Sequence, residues 1–507
     1  MLTAALSTTT GSVSTAGWRR TAARAGVVAV VVWAGLAMPV TGAAATTPDP
    51  VVEGPIGPGG VHSRPANGYR HLLGLDAAGY SEQEYFFSGT ARSIGSAAPT
   101  GPPVAAPVEY APYKSRMIVR RPVDPQRFNG TVIVEWINTT SGTDADPGWI
   151  WAYPEMIREG YAYVAVSAQA AGVTALRAER DPVRYASLSH PGDQFALDIF
   201  SQAMQAARHP ATVDVLGGLR LKRALATGES QSGQWLHDYL DLGVQREVGL
   251  ADGFLLDAGG ETVFTHHEPD VPVLHVNGEE RAVPGPRSGS PYYRSWWIAG
   301  APHADAWSLA FAQADQRAYT ADDDSARFDE DAAGSYGEQG QAAEPVCATS
   351  PNLFPRRYAL DAAYHTLDHW LRDGTAPDNS PEFVYTPDAG DQPTIVGQFT
   401  LDGTVERDED GNVLGGLRLP PIEVPLATYN GNQCWILGYA VPFSDDKLLR
   451  RYPTFADYFT PLKAAAERSV EAGHLRPADA RDLLSRACSA ARRWPSSADT
   501  RCSTTLN

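Results

Sequence analysis

Cysteine is scarce in this sequence, with 4 residues in a chain of 507. None of the four belongs to a C-x-x-C pair, so zinc-ribbon and thioredoxin-like sites are not indicated. The H-E-x-x-H motif of zinc proteases is also missing. His365 and His369 have its spacing but lack its glutamate, so we expect them to be surface or core residues of a helix. We therefore predict neither a metal nor an organic cofactor.

Positive charge is in short supply as well. Lys and Arg together number 41 against 59 for Asp and Glu, which gives a formal net charge of −18. Nucleic-acid backbones and anionic membranes bind clustered cations, so neither is an expected partner. With 43% hydrophobic and 20% charged residues, the composition is typical of a folded globular protein and excludes general disorder.

The apolar run near the N-terminus, residues 25–38, falls short of the roughly 20 residues that cross a bilayer. It follows Arg19, Arg20 and Arg24 and precedes the A-x-A sequence at 43–45. This order predicts that residues 1–45 are a signal peptide, with a retained membrane anchor as the alternative. We therefore expect a secreted or cell-surface protein without stable membrane insertion after processing.

The even number of cysteines favours disulfides in an exported protein. Cys488 and Cys502 are close enough in sequence to close a local loop. That pairing leaves Cys347 to pair with Cys434. We treat both pairings as hypotheses.

Strand and helix patterns alternate through the middle of the chain, which predicts a doubly wound α/β fold with a mostly parallel sheet. Expected strands lie at 83–87, 116–120, 131–136, 161–166, 223–227, 253–256, 271–276 and 295–298, and expected helices at 151–159, 195–208 and 232–242. Residues 46–68, rich in Pro and Gly, are interpreted as a linker or extended arm. Residues 69–507 are predicted to form one domain, with the core strands and catalytic loops at about 110–310.

The remaining residues, 311–507, are interpreted as lid or accessory elements and closing helices. Helices are expected at 358–372, 461–472 and 477–492, and a hairpin at 395–405 and 414–419 around the turn 408–412. The acidic stretch 322–331 offers possible calcium ligands, but its spacing is not that of an EF-hand and we expect a solvated loop.

The segment 223–233 carries the strongest chemical signal. It reads as a strand, a sharp turn at Gly-Glu-Ser-Gln-Ser and a helix, which is nearly the G-x-S-x-G nucleophile elbow. Ser230 occupies the nucleophile position, and Ser232 replaces the second glycine, where a small side chain is required. Taking Ser232 as the nucleophile fits the pattern badly, so Ser230 is the predicted nucleophile.

A nucleophilic serine needs a histidine base and a carboxylate that orients the histidine. The order serine, acid, histidine points to His303 as base and to Glu279 as acid, with Glu280 and Asp257 as alternatives. The other histidines weighed as bases are less consistent with this order; they are His190, His266 and His267.

The negative charge that develops on the substrate oxygen needs backbone donors. We predict the N–H of Gln231 as one donor and an N–H of the loop 138–142 as the second. Four tryptophans near these segments are expected to line a pocket or to belong to the core; they are Trp136, Trp149, Trp151 and Trp235.

Several segments resemble the bacterial proteins known as alpha/beta hydrolase domain proteins, over roughly residues 110–440. They are residues 134–149, 187–193, 227–232, 300–305 and 415–420. The resemblance implies an α/β-hydrolase fold, with Ser230 as nucleophile and His303 as base, and favours Glu279 over Glu280. It also implies that residues 304–507 belong to the hydrolase body or its lid.

These observations together predict an exported serine hydrolase that cleaves a carboxylic ester, small or polymeric, through an acyl-enzyme. The alternatives are an amidase, peptidase or thioesterase on the same fold, and a non-catalytic binding protein. The sequence leaves the oligomeric state open.

Overall fold

A sheet of nine strands forms the centre of the computed structural model, which describes residues 47–94, 107–282, 284–333, 351–386, 395–396, 399–400, 405–434, 436–495 and 502–506. The strands are β1 (Val51–Glu53), β2 (Tyr80–Arg92), β3 (Tyr110–Pro122), β4 (Thr131–Trp136), β5 (Ala162–Val166), β6 (Arg223–Glu229), β7 (Gly253–Asp257), β8 (Val273–Asn277) and β9 (Tyr293–Trp297). The predicted signal peptide and Cys347 lie outside the described residues.

The strands are ordered β1-β2-β3-β5-β4-β6-β7-β8-β9. Pairing is antiparallel from β1 to β5 along this order and parallel from β5 to β9. The strands β4, β5, β7 and β8 are buried along their whole length, as expected for a parallel sheet that is covered on both faces. The predicted doubly wound α/β fold is confirmed.

The described helices are α1 (Pro147–Glu159), α2 (Ala170–Ala175), α3 (Ala196–Arg208), α4 (Gln231–Asp241), α5 (Val244–Val248), α6 (Ala306–Thr320), α7 (Glu330–Ala333), α8 (Arg356–Asp373), α9 (Pro420–Glu423), α10 (Asp445–Arg451), α11 (Phe455–Glu471) and α12 (Pro477–Ser489). Side chains alternate between the sheet faces, so each strand supplies both layers of core. Ile133, Leu225 and Leu255 pack with α1, α6 and α8. Val132 and Ala226 face the opposite layer, which contains α3 and α4.

Helix α8, which lies within the residues interpreted as lid or accessory elements and closing helices, packs in this core. Its Tyr364 hydroxyl lies 3.0 Å from Thr227 Oγ1 of β6, and its Asp368 accepts a hydrogen bond from Thr131 of β4. The C-terminal half of the chain therefore completes one face of the sheet.

The segment 47–68, which we call the N-terminal arm, lies against the sheet. Its strand β1 pairs with β2, and Ala66 and Asn67 are buried. Two fully buried arginines of β3 bind its backbone: Arg116 donates to the Ala66 carbonyl at 2.8 Å and Arg120 to the Asn67 carbonyl at 2.6 Å. The arm is thus anchored by buried guanidinium groups.

In the predicted hairpin, Ile395–Val396 pairs antiparallel with Phe399–Thr400, Arg407 forms an isolated bridge with Val413, and residues 414–419 form no regular strand. Residues 401–404 lie outside the described part. In the acidic stretch, Asp322 accepts hydrogen bonds from Ser63 of the arm, and the stretch ends in α7.

The pairing of Cys488 with Cys502 is confirmed, and Cys434 is also disulfide-bonded. Across the described part of the chain, no helix is both long enough and apolar enough to cross a bilayer.

Candidate active site

Ser230 occupies a sharp turn between β6 and α4. Its backbone has φ 58° and ψ −119°, a conformation that is costly for a residue with a side chain and that concentrates at functional sites. The turn depends on glycine: a Cβ on Gly228 would lie 2.7 Å from the Ser232 carbonyl oxygen, and one on Gly259 would collide with the Ser230 backbone. The local sequence thus allows the strained position of Ser230.

Ser232 stabilises the same turn. Its buried hydroxyl accepts a hydrogen bond from the Glu229 N–H at 3.0 Å and donates to the Glu229 carbonyl at 2.8 Å. Both hydrogen bonds stay within the elbow, so Ser232 acts as a local brace where the usual motif has glycine.

His303 lies on the loop after β9 and reaches the serine. Its Nε2 is 2.8 Å from Ser230 Oγ. The loop is held from two sides, because Arg356 donates to the His303 carbonyl at 2.7 Å and the Ala304 N–H donates to the Ile436 carbonyl at 2.8 Å. The structure therefore brings together the two residues predicted as nucleophile and base.

The carboxylate beside Nδ1 of His303 comes from Glu280, with Oε1 at 3.4 Å. Glu279, which the sequence analysis favoured, points elsewhere. Its carboxylate accepts hydrogen bonds from the Gly300 N–H at 2.7 Å and from Arg407 Nη2 at 2.9 Å. The geometry therefore places Glu280 beside the imidazole and Glu279 against Gly300 and Arg407, because the short 3-10 turn that carries both residues points adjacent side chains in different directions.

Asp257, the other alternative, forms a buried ion pair with Arg356. Burial raises the pKa of Asp257 to about 7, although the Arg356 guanidinium opposes the rise. Its backbone carbonyl accepts from the Ser230 N–H at 2.8 Å. Asp257 therefore lies beneath the elbow and is paired with Arg356.

A second carboxylate, that of Glu229, lies on the other side of the imidazole. Its Oε1 is 3.0 Å from His303 Nε2, the nitrogen that also faces Ser230. Burial alone lowers the pKa of His303, but Glu229 and then Glu280 outweigh it and raise the pKa to about 9. The sequence analysis did not single out Glu229, although it lies inside the elbow motif.

Two backbone N–H groups, one in the elbow and one in the loop after β4, were predicted as oxyanion donors. The Gln231 N–H is in the first turn of α4, where helical N–H groups lack helical acceptors. In the loop after β4, the N–H groups of Asn138, Thr140 and Gly142 have acceptors. We find none among the described residues for the N–H of the buried Thr139.

The tryptophans near the site belong mostly to the core. Trp136 and Trp149 are fully buried, and Trp136 stacks on the half-buried Trp235 with ring centroids 5.4 Å apart. Trp151 donates to Asp305 Oδ1 at 3.0 Å, which fixes the residue that caps α6.

Two of the other candidate bases have structural partners away from the elbow. His190 Nε2 lies 2.9 Å from the Ala168 carbonyl, and His266 Nδ1 lies 2.7 Å from Asp241. The remaining rival, His267, donates through its backbone N–H to Asp241 Oδ1 at 3.4 Å.

The i, i+4 histidines lie on α8. His365 and His369 contact each other there, with ring centroids 4.3 Å apart. One nitrogen or oxygen atom each of His365, Glu155 and Glu159 lie within 4.8 Å of one another. Arg476 already bridges the two glutamates of that group, at 2.8 Å from each.

A doubly wound sheet with a strained serine elbow and a histidine on a late loop defines the α/β-hydrolase class. Comparison with family models agrees: residues 52–485 match the family described as alpha/beta hydrolase domain. The chain belongs to this family and is a hydrolase. No curated protein matches it.

Solved structures that match part of this chain include esterases at low identity. Est22 is 14% identical, with 41% of this chain and 69% of that chain covered and a TM-score of 0.25. Est1E from Butyrivibrio proteoclasticus is 11% identical (41% and 95% covered, TM-score 0.24). A putative dienelactone hydrolase from Klebsiella pneumoniae is 13% identical (39% and 74% covered, TM-score 0.19). At these values the similarities carry no argument about the substrate.

Proposed function

We propose that the protein is an exported serine hydrolase that cleaves a carboxylic ester through an acyl-enzyme. The observation that carries the proposal is the 2.8 Å contact between Ser230 Oγ, on a strained elbow, and His303 Nε2. This contact pairs a nucleophile with a base at the carboxyl end of the sheet, where doubly wound folds place their sites.

In the first half of the reaction, Ser230 Oγ attacks the ester carbonyl carbon while His303 Nε2 takes the hydroxyl proton. The tetrahedral intermediate then collapses, and the leaving alcohol takes that proton from Nε2. In the second half, water attacks the acyl carbonyl and gives a proton to Nε2. The proton returns to Ser230 as the carboxylic acid leaves.

The orienting acid in this proposal is Glu280, because its carboxylate faces Nδ1 of His303. A carboxylate at that position holds the tautomer in which Nε2 accepts a proton. Glu279 has a different task. Its hydrogen bonds to Gly300 and Arg407 hold the loop that leads to His303.

The oxyanion donors in this proposal are the N–H groups of Gln231 and Thr139. Asn138 supports this arrangement, because its side chain donates to the Glu229 carbonyl at 2.8 Å and so ties the β4 loop to the elbow. Two backbone donors aimed at the developing charge are the usual means of stabilising such an intermediate.

Export is supported by the disulfide between Cys488 and Cys502, since disulfides persist in oxidising compartments. The basic and apolar pattern of residues 1–45 supports it independently.

The test is hydrolysis of p-nitrophenyl esters, from acetate to long acyl chains, by the protein and by two serine variants. We expect Ser230→Ala to lose about 10⁴- to 10⁶-fold in kcat/KM. Ser232→Ala is the matched control and should lose at most about tenfold, since it removes only elbow hydrogen bonds.

Full activity in folded Ser230→Ala would contradict the proposal. If the protein hydrolyses only amides or thioesters and this activity depends on Ser230, the assignment of the nucleophile stands. The proposed substrate class then changes from esters to amides or thioesters. No turnover of any acyl substrate and no reaction with a fluorophosphonate would favour the binding protein.

A further inference from the structure

His303 Nε2 has two oxygen atoms within hydrogen-bond distance, and only one of them, Ser230 Oγ, takes part in the mechanism above. Ser230 Oγ lies at 2.8 Å and Glu229 Oε1 at 3.0 Å. Neutral His303 can accept the serine proton at Nε2. Protonated His303 carries a hydrogen there, and an ionised carboxylate is a stronger acceptor for it than a neutral hydroxyl.

The position of the Glu229 carboxylate is fixed by its surroundings. Glu229 ends β6, and its side chain is 9% exposed. Asn138 Nδ2 donates both to the Glu229 carbonyl at 2.8 Å and to Glu229 Oε2 at 3.1 Å. The remaining oxygen, Oε1, is thereby directed at the imidazole, so the contact with Nε2 is part of a built arrangement.

The other charged groups around the ring do not neutralise this carboxylate. Glu280 faces Nδ1 from the 3-10 turn after β8. Arg356, at the start of α8, donates to the His303 backbone carbonyl and forms its ion pair with Asp257 at the end of β7. Two carboxylates therefore face the imidazole ring, and the nearby guanidinium is paired with a third.

We infer that Glu229 is a positioning residue that holds the Nε2 proton of protonated His303 and so sets the pH at which Ser230 becomes a nucleophile. The inference rests on the proposed function. When the Nε2 proton leaves to solvent, Nε2 can accept a hydrogen bond from the Ser230 hydroxyl. During attack it then takes the hydroxyl proton. The imidazolium that forms then lies beside the same carboxylate, which stabilises it.

The predicted pH dependence follows from the sign of the effect. Glu229 raises the pKa of His303, which stands at about 9. Below that pH the imidazolium dominates and cannot accept the serine proton. The rate of serine attack should therefore rise with pH toward about 9, and loss of the Glu229 charge should move this rise to lower pH.

The experiment measures the second-order rate of inactivation by a fluorophosphonate between pH 6 and 10.5. This probe requires the serine and its base but no natural substrate. The variants are Glu229→Gln, which removes the charge, and Glu229→Asp, which retains it on a shorter side chain. Asp238→Asn is the matched control, because Asp238 lies on α4 and bonds Gln234, not His303.

We expect the midpoint to fall by one pH unit or more in Glu229→Gln, which raises the ratio of rates at pH 7 and pH 10.5 about tenfold or more. Glu229→Asp should have an intermediate midpoint, and Asp238→Asn that of the unaltered protein. A structural role for Glu229 would lower the rate equally at every pH.

An unchanged midpoint in Glu229→Gln, or in Glu229→Asp if the glutamine variant does not fold, overturns the inference and leaves the proposed function intact. If the unaltered protein does not react at any pH, the proposed function itself fails and the inference fails with it.

Discussion

Two regions of this molecule that contain buried carboxylates differ in the partners of those carboxylates. We call the first the arm cluster; it consists of Glu82, Glu84, Arg116, Arg120, Asp144 and Asp146. In it, every carboxylate has an arginine partner: Arg120 contacts Glu82 and Asp146, and Arg116 contacts Asp144 and Glu84.

The second region is the active site, where Glu229 and Glu280 face the imidazole of His303. A guanidinium keeps its proton at any physiological pH, whereas an imidazole releases it. The arm cluster is therefore a fixed set of charges that holds the N-terminal arm. The site has a charge that changes during catalysis, so the same kind of buried acid serves stability in one region and reactivity in the other.

The largest expected effect comes from substituting, one at a time, the two adjacent glutamates at the site. Glu280→Gln should lower kcat/KM by about 10²- to 10⁴-fold, because the imidazole loses the carboxylate at Nδ1. Glu279→Gln is the matched partner. It removes the carboxylate that Arg407 contacts at 2.9 Å, so its expected effect is a lower free energy of unfolding, by about 3 kcal/mol or more.

Esterase kinetics and urea denaturation of both variants separate these outcomes. A larger loss of activity in folded Glu279→Gln than in Glu280→Gln would restore Glu279 as the orienting acid.

The arm cluster can be broken at Arg120. Arg120→Met leaves Glu82 and Asp146 buried without their cation, which should lower the free energy of unfolding by about 3–5 kcal/mol. Arg121→Met on the same strand is the control. Arg121 donates to neutral Gln83, so a loss of about 1 kcal/mol is expected. Equal losses of unfolding free energy in the two variants would show that the ion pairs of Arg120 stabilise the fold no more than the hydrogen bond of Arg121 does.

The smallest expected effect concerns Glu135 of β4. Its buried carboxylate accepts from the Gly148 N–H at 2.8 Å and from the Tyr163 hydroxyl at 2.5 Å. Burial, and then the nearby Asp146 of the arm cluster, raises its pKa from 4.5 to about 8.

Between these pH values the folded protein binds more protons at Glu135 than the unfolded chain does, so this group makes the free energy of unfolding fall as pH rises. Glu135→Gln should reduce that fall between pH 5 and pH 8 in urea denaturation. An identical pH dependence in the variant would show that Glu135 is ionised in the folded protein at pH 5.

The sequence was sufficient for those features that local pattern determines. Continuous apolar runs predicted β4 with its observed bounds and β5 to within one residue. Turn chemistry and chain order predicted Ser230 and His303, which the structure brings together. Helix α11 was predicted to start at Pro461 but begins at Phe455, because Thr454 and Asp457 form a capping box and the proline is accommodated inside the helix.

The sequence was insufficient to predict side-chain contacts that depend on tertiary geometry. Glu279 and Glu280 are adjacent, and only the turn that carries them determines which faces His303. Arg356 lies 99 residues from its partner Asp257, and no local signal connects them. Glu229 was treated as a variable position of the elbow, although its contact with Nε2 depends on Asn138 from another strand's loop.

The most direct test of the central claim is mass spectrometry of the protein after reaction with a fluorophosphonate. The account predicts one phosphonyl group per chain, located on the peptide that contains Ser230, and none in Ser230→Ala. An adduct on any other residue, or an unmodified folded protein at pH 9 to 10, would contradict it.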